Sequence, residues 1–382
     1  MAKIKLKKNR SLLEELGVKY FKRLDTKNRA TKEIVLDDIP SDRVLEAISK
    51  VIVKNATIIA FLIGAIVTIP LVIFELLYYD KFDFFSYIFY YGIFAFISLV
   101  IELTLLYWLT LDSIYALLHL IGKYPLDEKD LPQVYEIDRI LIRAALELEE
   151  PILEFMGLDP RKSISKSRLI FAALIYKLKV ILSTFIIKKI LKALLPRIGA
   201  RSILIPWVGV FVVAFWDAYV INRSIKDAKL RLFGYYFSKY LVDNILLKKI
   251  KDKKFALDIE GAIRAIGVIM VLSKSNHPNN LILLVRLSNY LDKELNEPDS
   301  LDLLLEYMEK LSPQERRYLK VLATIAAIFD GKVTKEELEA LKKIYKDEEK
   351  YYLDLLKKMQ NLLKKGHIHQ LAHIVSKEFN HY

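Results

Sequence analysis

From Asn55 to Tyr79 the chain runs for 25 residues with a single charge, Glu75. At about 1.5 Å of rise per residue such a run exceeds the ~20 residues that cross a bilayer, so it predicts a transmembrane helix. Asp80-Lys81-Phe82-Asp83 then separates it from a second run, Phe84 to Leu111, 28 residues whose one charge is Glu102. The gap is short enough to make the two runs a tight antiparallel hairpin. Tyr78 and Tyr79 before the turn, and Tyr107 and Trp108 near the far end, stand where interfacial aromatic belts belong. A third apolar stretch, Ile203 to Trp216, is only 14 residues long before Asp217 and carries Pro206 and Gly209. That length and those residues predict a re-entrant, interfacial or buried segment, not a crossing.

Beyond residue 255 the apolar positions recur every three or four residues, with polar punctuation between helices. Ala256 to Leu272 reads as a helix, Ser273 to Asn280 as a loop by composition, and Leu281 to Leu295 and Ser300 to Leu311 as further helices. Ser312-Pro313-Gln314-Glu315 is an N-cap, a proline at N1 and a capping-box glutamate, so a helix starts there. Thr334-Lys335-Glu336-Glu337 is a second capping box after Asp330-Gly331, and helices over Glu348 to Lys365 and His369 to Phe379 complete the block.

Charge changes the picture by being uneven. Residues 1–54 hold 14 Lys and Arg, whereas the hairpin loop holds only Lys81, which predicts cytoplasmic ends and an external turn. Residues 161–254 carry 21 basic side chains against four acids, while the whole chain of 382 residues has a net charge of +13; the remainder is therefore slightly acidic. Within that module Leu169 to Leu195 is an apolar run interrupted by lysines. At 100° per residue Lys177, Lys188 and Lys192 share one helix face. A lysine stripe beside an apolar face predicts attachment to an anionic membrane surface. Because these lysines alternate with Ile, Leu and Phe, nucleic acid is not an expected partner. A mean hydropathy of +0.24 beside 27% charged residues fits a membrane protein with sizeable aqueous parts. With no Cys in the chain, disulfides, Cys-ligated metal centres and thiol catalysis are excluded.

Two stretches resemble known families. Ile205-Pro206-Trp207-Val208-Gly209, then Ala214 to Tyr219 and Ala228 to Gly234, is similar to the EcsC-type bacterial membrane-associated proteins over about residues 203–236, with Asp217 near a position that is often Asn in that family. The block Ala323 to Leu341, with Asp330-Gly331 followed by a helix opening on glutamates, resembles the TerB-like domain of bacterial tellurite-resistance and stress proteins over about residues 312–376. The second resemblance implies a small helical interaction module in a membrane-associated stress system. It also implies Asp330, Glu336 and Glu337 as candidate metal-contacting acids; the residues themselves read as a turn and a helix cap without the spaced ligands of a calcium loop.

Glu75, Glu102 and Asp217 are the candidate intramembrane polar sites, since acids within spans are functional hypotheses by default. Glu75 lies close to the turn and Glu102 roughly 28 Å deeper by helical rise, so these two are not expected to pair. His369 and His373 share a helix face with His367 nearby, a spacing zinc can use, yet the expectation for tail histidines is solvation. No phosphate-binding, hydrolase-elbow or metalloprotease motif occurs. The sequence thus predicts an all-α membrane protein with a two-helix transmembrane hairpin, amphipathic membrane-surface helices and a cytosolic helical domain. Its expected segments are a basic N-terminal segment (1–54), the hairpin (55–111), a basic EcsC-like surface region (112–254) and the TerB-like domain (255–382). The functional expectation is a non-enzymatic scaffold or stress-associated adaptor of the bacterial inner membrane, without a cofactor, binding anionic lipid and protein partners or a second copy. The alternative is a subunit of an oligomeric transport or channel assembly.

Overall fold

The structure, a computed structural model, describes residues 5–6, 12–28, 40–121, 136–146, 153–154, 204–251, 257–274, 277–291 and 295–380. Among these the fold is helical, apart from one two-residue antiparallel pairing of β1 (Lys5–Leu6) with β2 (Leu153–Glu154). The chain divides into two compact units. One draws on Met1–Ser49, Leu117–Ile164 and Asp227–Tyr382, the other on Lys50–Ala116 and Ser165–Lys226. Lys177, Lys188 and Lys192 lie outside the described residues.

The second unit is built on three long helices, α2 (Asp42–Tyr78), α3 (Phe84–Leu120) and α5 (Leu204–Tyr240), each of which also extends into the first unit. All three helical stretches, the last taken as Trp207–Ile250, are long and apolar enough to cross a membrane. This corrects the expectation of two crossing-length helices and a third stretch too short to cross: α5 runs unbroken through Gly209 and Asp217. Pro206 falls in its first turn, where a missing N–H leaves no hydrogen bond unmade. Hydroxyls in these apolar helices are satisfied locally, since Thr57, Thr68, Thr104, Thr110 and Ser113 each donate to the carbonyl four residues earlier at 2.6–2.7 Å. Around the turn between α2 and α3, the Phe74 ring packs on those of Tyr78, Tyr87, Tyr91 and Phe94. Asp83 accepts from the Ser86 N–H at 3.1 Å and so caps α3. Only 6% of the most apolar stretch of α3 is buried, the exposure expected of a helix whose solvent is lipid.

In the first unit α1 (Leu12–Asn28) packs against α4 (Ile137–Ala145), where Arg139 bridges Glu14 at 3.0 Å and Glu15 at 3.2 Å. After α5 come a π-helical segment (Leu241–Leu246) and α6 (Leu247–Ile250), and then α7 (Ile259–Leu272), α8 (Pro278–Ser288) and α9 (Leu301–Glu309). The remainder is α10 (Pro313–Ile328), α11 (Lys335–Tyr345), a short 3₁₀ turn (Lys346–Glu348), α12 (Glu349–Lys365) and α13 (Ile368–Asn380). The hydrophobic core forms where α10 packs on α7 and α12, and it is rich in rings: Tyr345 stacks on Tyr352 and Tyr318 on Phe379, both at 4.8 Å between centroids. Both capping boxes form, Ser312 with Glu315 and Thr334 with Glu337. Gly331 (φ +73°) and Gly366 (φ +90°) take the left-handed conformation that closes α10 and α12.

One stretch departs from its sequence reading. Ser273 to Asn280 is not a loop throughout, because α8 begins at Pro278, and His277, Asn279 and Asn280 are buried. Asn280 donates to the Ala326 carbonyl at 3.1 Å, and Asn279 lies against the backbone of Gly234 in α5, where any side chain would collide with it. Tertiary packing, not local composition, decides this segment.

Candidate functional site

The spans of α2, α3 and α5 carry no Lys or Arg between Asn55 and Tyr79, Phe84 and Leu111, or Trp207 and Asn222. Against that background Glu102 of α3 and Asp217 of α5 bring their carboxyl groups within hydrogen-bonding reach of each other. Asp217 is only 8% exposed, and its Oδ2 has no hydrogen-bond partner among the described residues. Gly64 of α2 closes the third side. A Cβ at Gly64 would lie 2.4 Å from Asp217 Oδ2 and 2.9 Å from Ala214 Cα, so only a residue without a side chain lets α2 and α5 approach this closely. Further along the same helices Asn222 donates to Thr57 Oγ1 at 2.9 Å. The order of these contacts, Thr57 with Asn222 and Gly64 with Ala214 and Asp217, shows that α5 runs antiparallel to α2.

The three acids singled out from the sequence are thus placed apart in role. Glu75 lies beside Tyr87 and Tyr91 near the turn, and does not join the other two. Glu102 and Asp217 meet. Nothing in the sequence marked that contact, because Asp217 reads as the end of a short segment; Gly64, Thr57 and Asn222 were missed for the same reason. The two acids meet where these spans carry no basic residue.

The Asp330, Glu336 and Glu337 set is not drawn together. Asp330 Oδ1 accepts from the Lys332 N–H at 3.0 Å, and burial pushes its carboxyl up to about 6. Glu337 is 1% exposed; one of its oxygens accepts from the Thr334 N–H at 2.7 Å and the other has no partner among the described residues. Burial, with the charge of Asp330 adding to it, pushes Glu337 up to about 7. Glu336 is exposed and pairs with Lys274 at 3.1 Å. A hydrogen bond to its own backbone N–H, and that lysine, hold its carboxyl below the usual range. Among the described residues no group of three or more His, Asp or Glu could hold a metal ion.

Of the tail histidines, His369 and His373 are exposed as expected and His367 is partly buried. Asp42, at the start of α2, accepts at 3.0 Å from the backbone N–H groups of His369 and Gln370 and meets His369 Nδ1 at the same distance. Its carboxylate thereby caps α13 from another helix, where the helix dipole favours negative charge. One turn along, Glu46 meets His367 Nε2 at 2.6 Å.

Comparison of the chain with protein-family models, with curated proteins and with solved structures gives no match.

Proposed function

We propose that this protein is a membrane-anchored helical scaffold of the bacterial inner membrane, whose C-terminal helices present surfaces to protein partners at the cytoplasmic face. The observation that carries the reading is the clamp of Asp42 and Glu46 on the start of α13. A module held by the first turns of a helix that goes on to cross the bilayer is fixed at the membrane surface. The likeness of residues 203–236 to EcsC-type proteins and of residues 312–376 to TerB-like domains supports such a role, as does the lysine stripe of Lys177, Lys188 and Lys192 for anionic lipid. Asp42 precedes the first span and His369 follows the last, so the chain crosses an even number of times between them. The α2 and α3 pair meets that condition alone.

A second reading, a subunit of an oligomeric transport assembly, is favoured by the contact of Glu102 with Asp217 amid apolar helices. Flux separates the two. Reconstituted into liposomes under a pH or potassium gradient, the scaffold leaves the gradient standing. Collapse of the gradient by the wild type, abolished in Asp217→Asn, makes transport the function.

A further inference from the structure

We propose that Glu102 and Asp217 form a proton-binding site inside the membrane region, one proton being held in an O–H···O bond between the two carboxyl groups. The proposal goes beyond the scaffold reading and rests on one part of it, the placing of α2, α3 and α5 in the bilayer; it holds whether or not the protein transports anything.

Three observations lead to it. The two carboxyl groups lie within hydrogen-bonding reach of each other, and because a carboxylate has only acceptors, they can bond only when one of them carries hydrogen. Asp217 is more than nine-tenths buried and its Oδ2 finds no donor among the described residues, so none of the described groups solvates a second negative charge there. The neighbouring spans offer no counter-charge. Facing the pair from α2 is Gly64, and the nearest titratable groups along that helix are Lys54 and Glu75, each about three turns away on opposite sides, Glu75 standing with Tyr87 and Tyr91 toward the loop. On α3 and α5 the spans hold no acid besides Glu102 and Asp217. Two like charges in contact in a medium of low dielectric repel far more strongly than in water.

The chemistry is a proton transfer and nothing more: one carboxylate takes a proton from hydronium and releases water, with no change of oxidation state. Its consequence is mechanical. With the proton in place the carboxyl groups tie α3 to α5; without it two charges meet at the same point and push those helices apart. Occupancy of the site and packing of the second unit are therefore linked.

Infrared spectroscopy of the full-length protein in phosphatidylcholine nanodiscs tests this, because a protonated carboxyl group has a C=O stretch distinct from that of a carboxylate. The wild type at neutral pH is expected to show a band equivalent to one carboxyl group that is missing from the Glu102→Gln/Asp217→Asn double variant, and to shift it on transfer to D₂O. Each single variant is expected to move the band in frequency, since the partner oxygen becomes an amide. Identical carboxyl regions in wild type and double variant, with circular dichroism showing both folded, would overturn the proposal. So would loss of the band on adding sodium, potassium or calcium at constant pH, which would make the site a metal-cation site. Should the region lie outside the bilayer, thiol labelling of cysteines placed at Ile66 and Phe96 would show free access to water, so that failure is told apart from failure of the proton site.

Discussion

Glu337→Gln isolates what a buried acid does to the turn between α10 and α11. Burial raises the Glu337 carboxyl from its ordinary 4.5 to about 7. An acid raised in this way keeps its proton in the fold after the unfolded chain has lost it. The stability it contributes is full below pH 4.5 and is lost as the pH climbs through about 7. At 1.36 kcal/mol per tenfold change in proton affinity, the loss is about 3 kcal/mol. Asp330, raised from 3.8 to about 6, adds a loss of the same sign over a lower window. Glutamine keeps an acceptor for the Thr334 N–H, now held at 2.7 Å, and has no charge to bury. Hydrogen exchange of α10 and α11 amides in the full-length protein, corrected for intrinsic rates, reads the local opening free energy. The wild type should lose protection between pH 5 and pH 8, while Glu337→Gln keeps only the smaller slope left by Asp330. Equal pH dependence in the two proteins would refute the reasoning.

Enlarging Gly64 should part α2 from α5: with cysteines at Thr57 and Asn222 in this Cys-free chain, a short bifunctional thiol reagent is expected to cross-link them, and Gly64→Leu to prevent it. Thr334→Ala removes an N-cap and should cost α11 about 1 kcal/mol of opening free energy in the same exchange measurement. Asp42→Ala strips three accepted bonds from the start of α13, so amide protection there should fall while that of α10 stays unchanged. Replacing Lys177, Lys188 and Lys192 by Gln should weaken binding of the isolated 161–254 segment to anionic vesicles roughly a hundredfold, at about 1 kcal/mol per lysine; salt-independent binding to neutral vesicles would contradict the stripe's role.

What could be read from the sequence was local. The capping boxes at Ser312 and Thr334 depend on residues three apart, and both appear. The end of α2 and the start of α3 fall at the polar gap around Asp80 to Asp83 because apolar runs and turn residues mark them directly. The features that escaped depend on partners far along the chain. Asp217 looked like the end of a short apolar stretch, and the acid it meets, Glu102, belongs to a different helix. Gly209 reads as a breaker, yet a glycine inside a helix costs only about 1 kcal/mol, which packing of a long helix readily offsets. His277 and Asn279 look like loop residues until Gly234 of α5 provides the flat backbone against which Asn279 is buried. His367 looks solvated until Glu46 is found beside it.

The central claim is that α2 leaves the C-terminal module on one side of a membrane and that the turn before α3 lies on the other. Single cysteines replacing Val44, Phe82 and His373, all of them exposed, report on it directly when intact cells are treated with a membrane-impermeant thiol reagent. Position 82 should be labelled at once, and positions 44 and 373 only after the membrane is permeabilised. Labelling of 44 and 82 alike in intact cells, or of 373 without 44, would contradict the account.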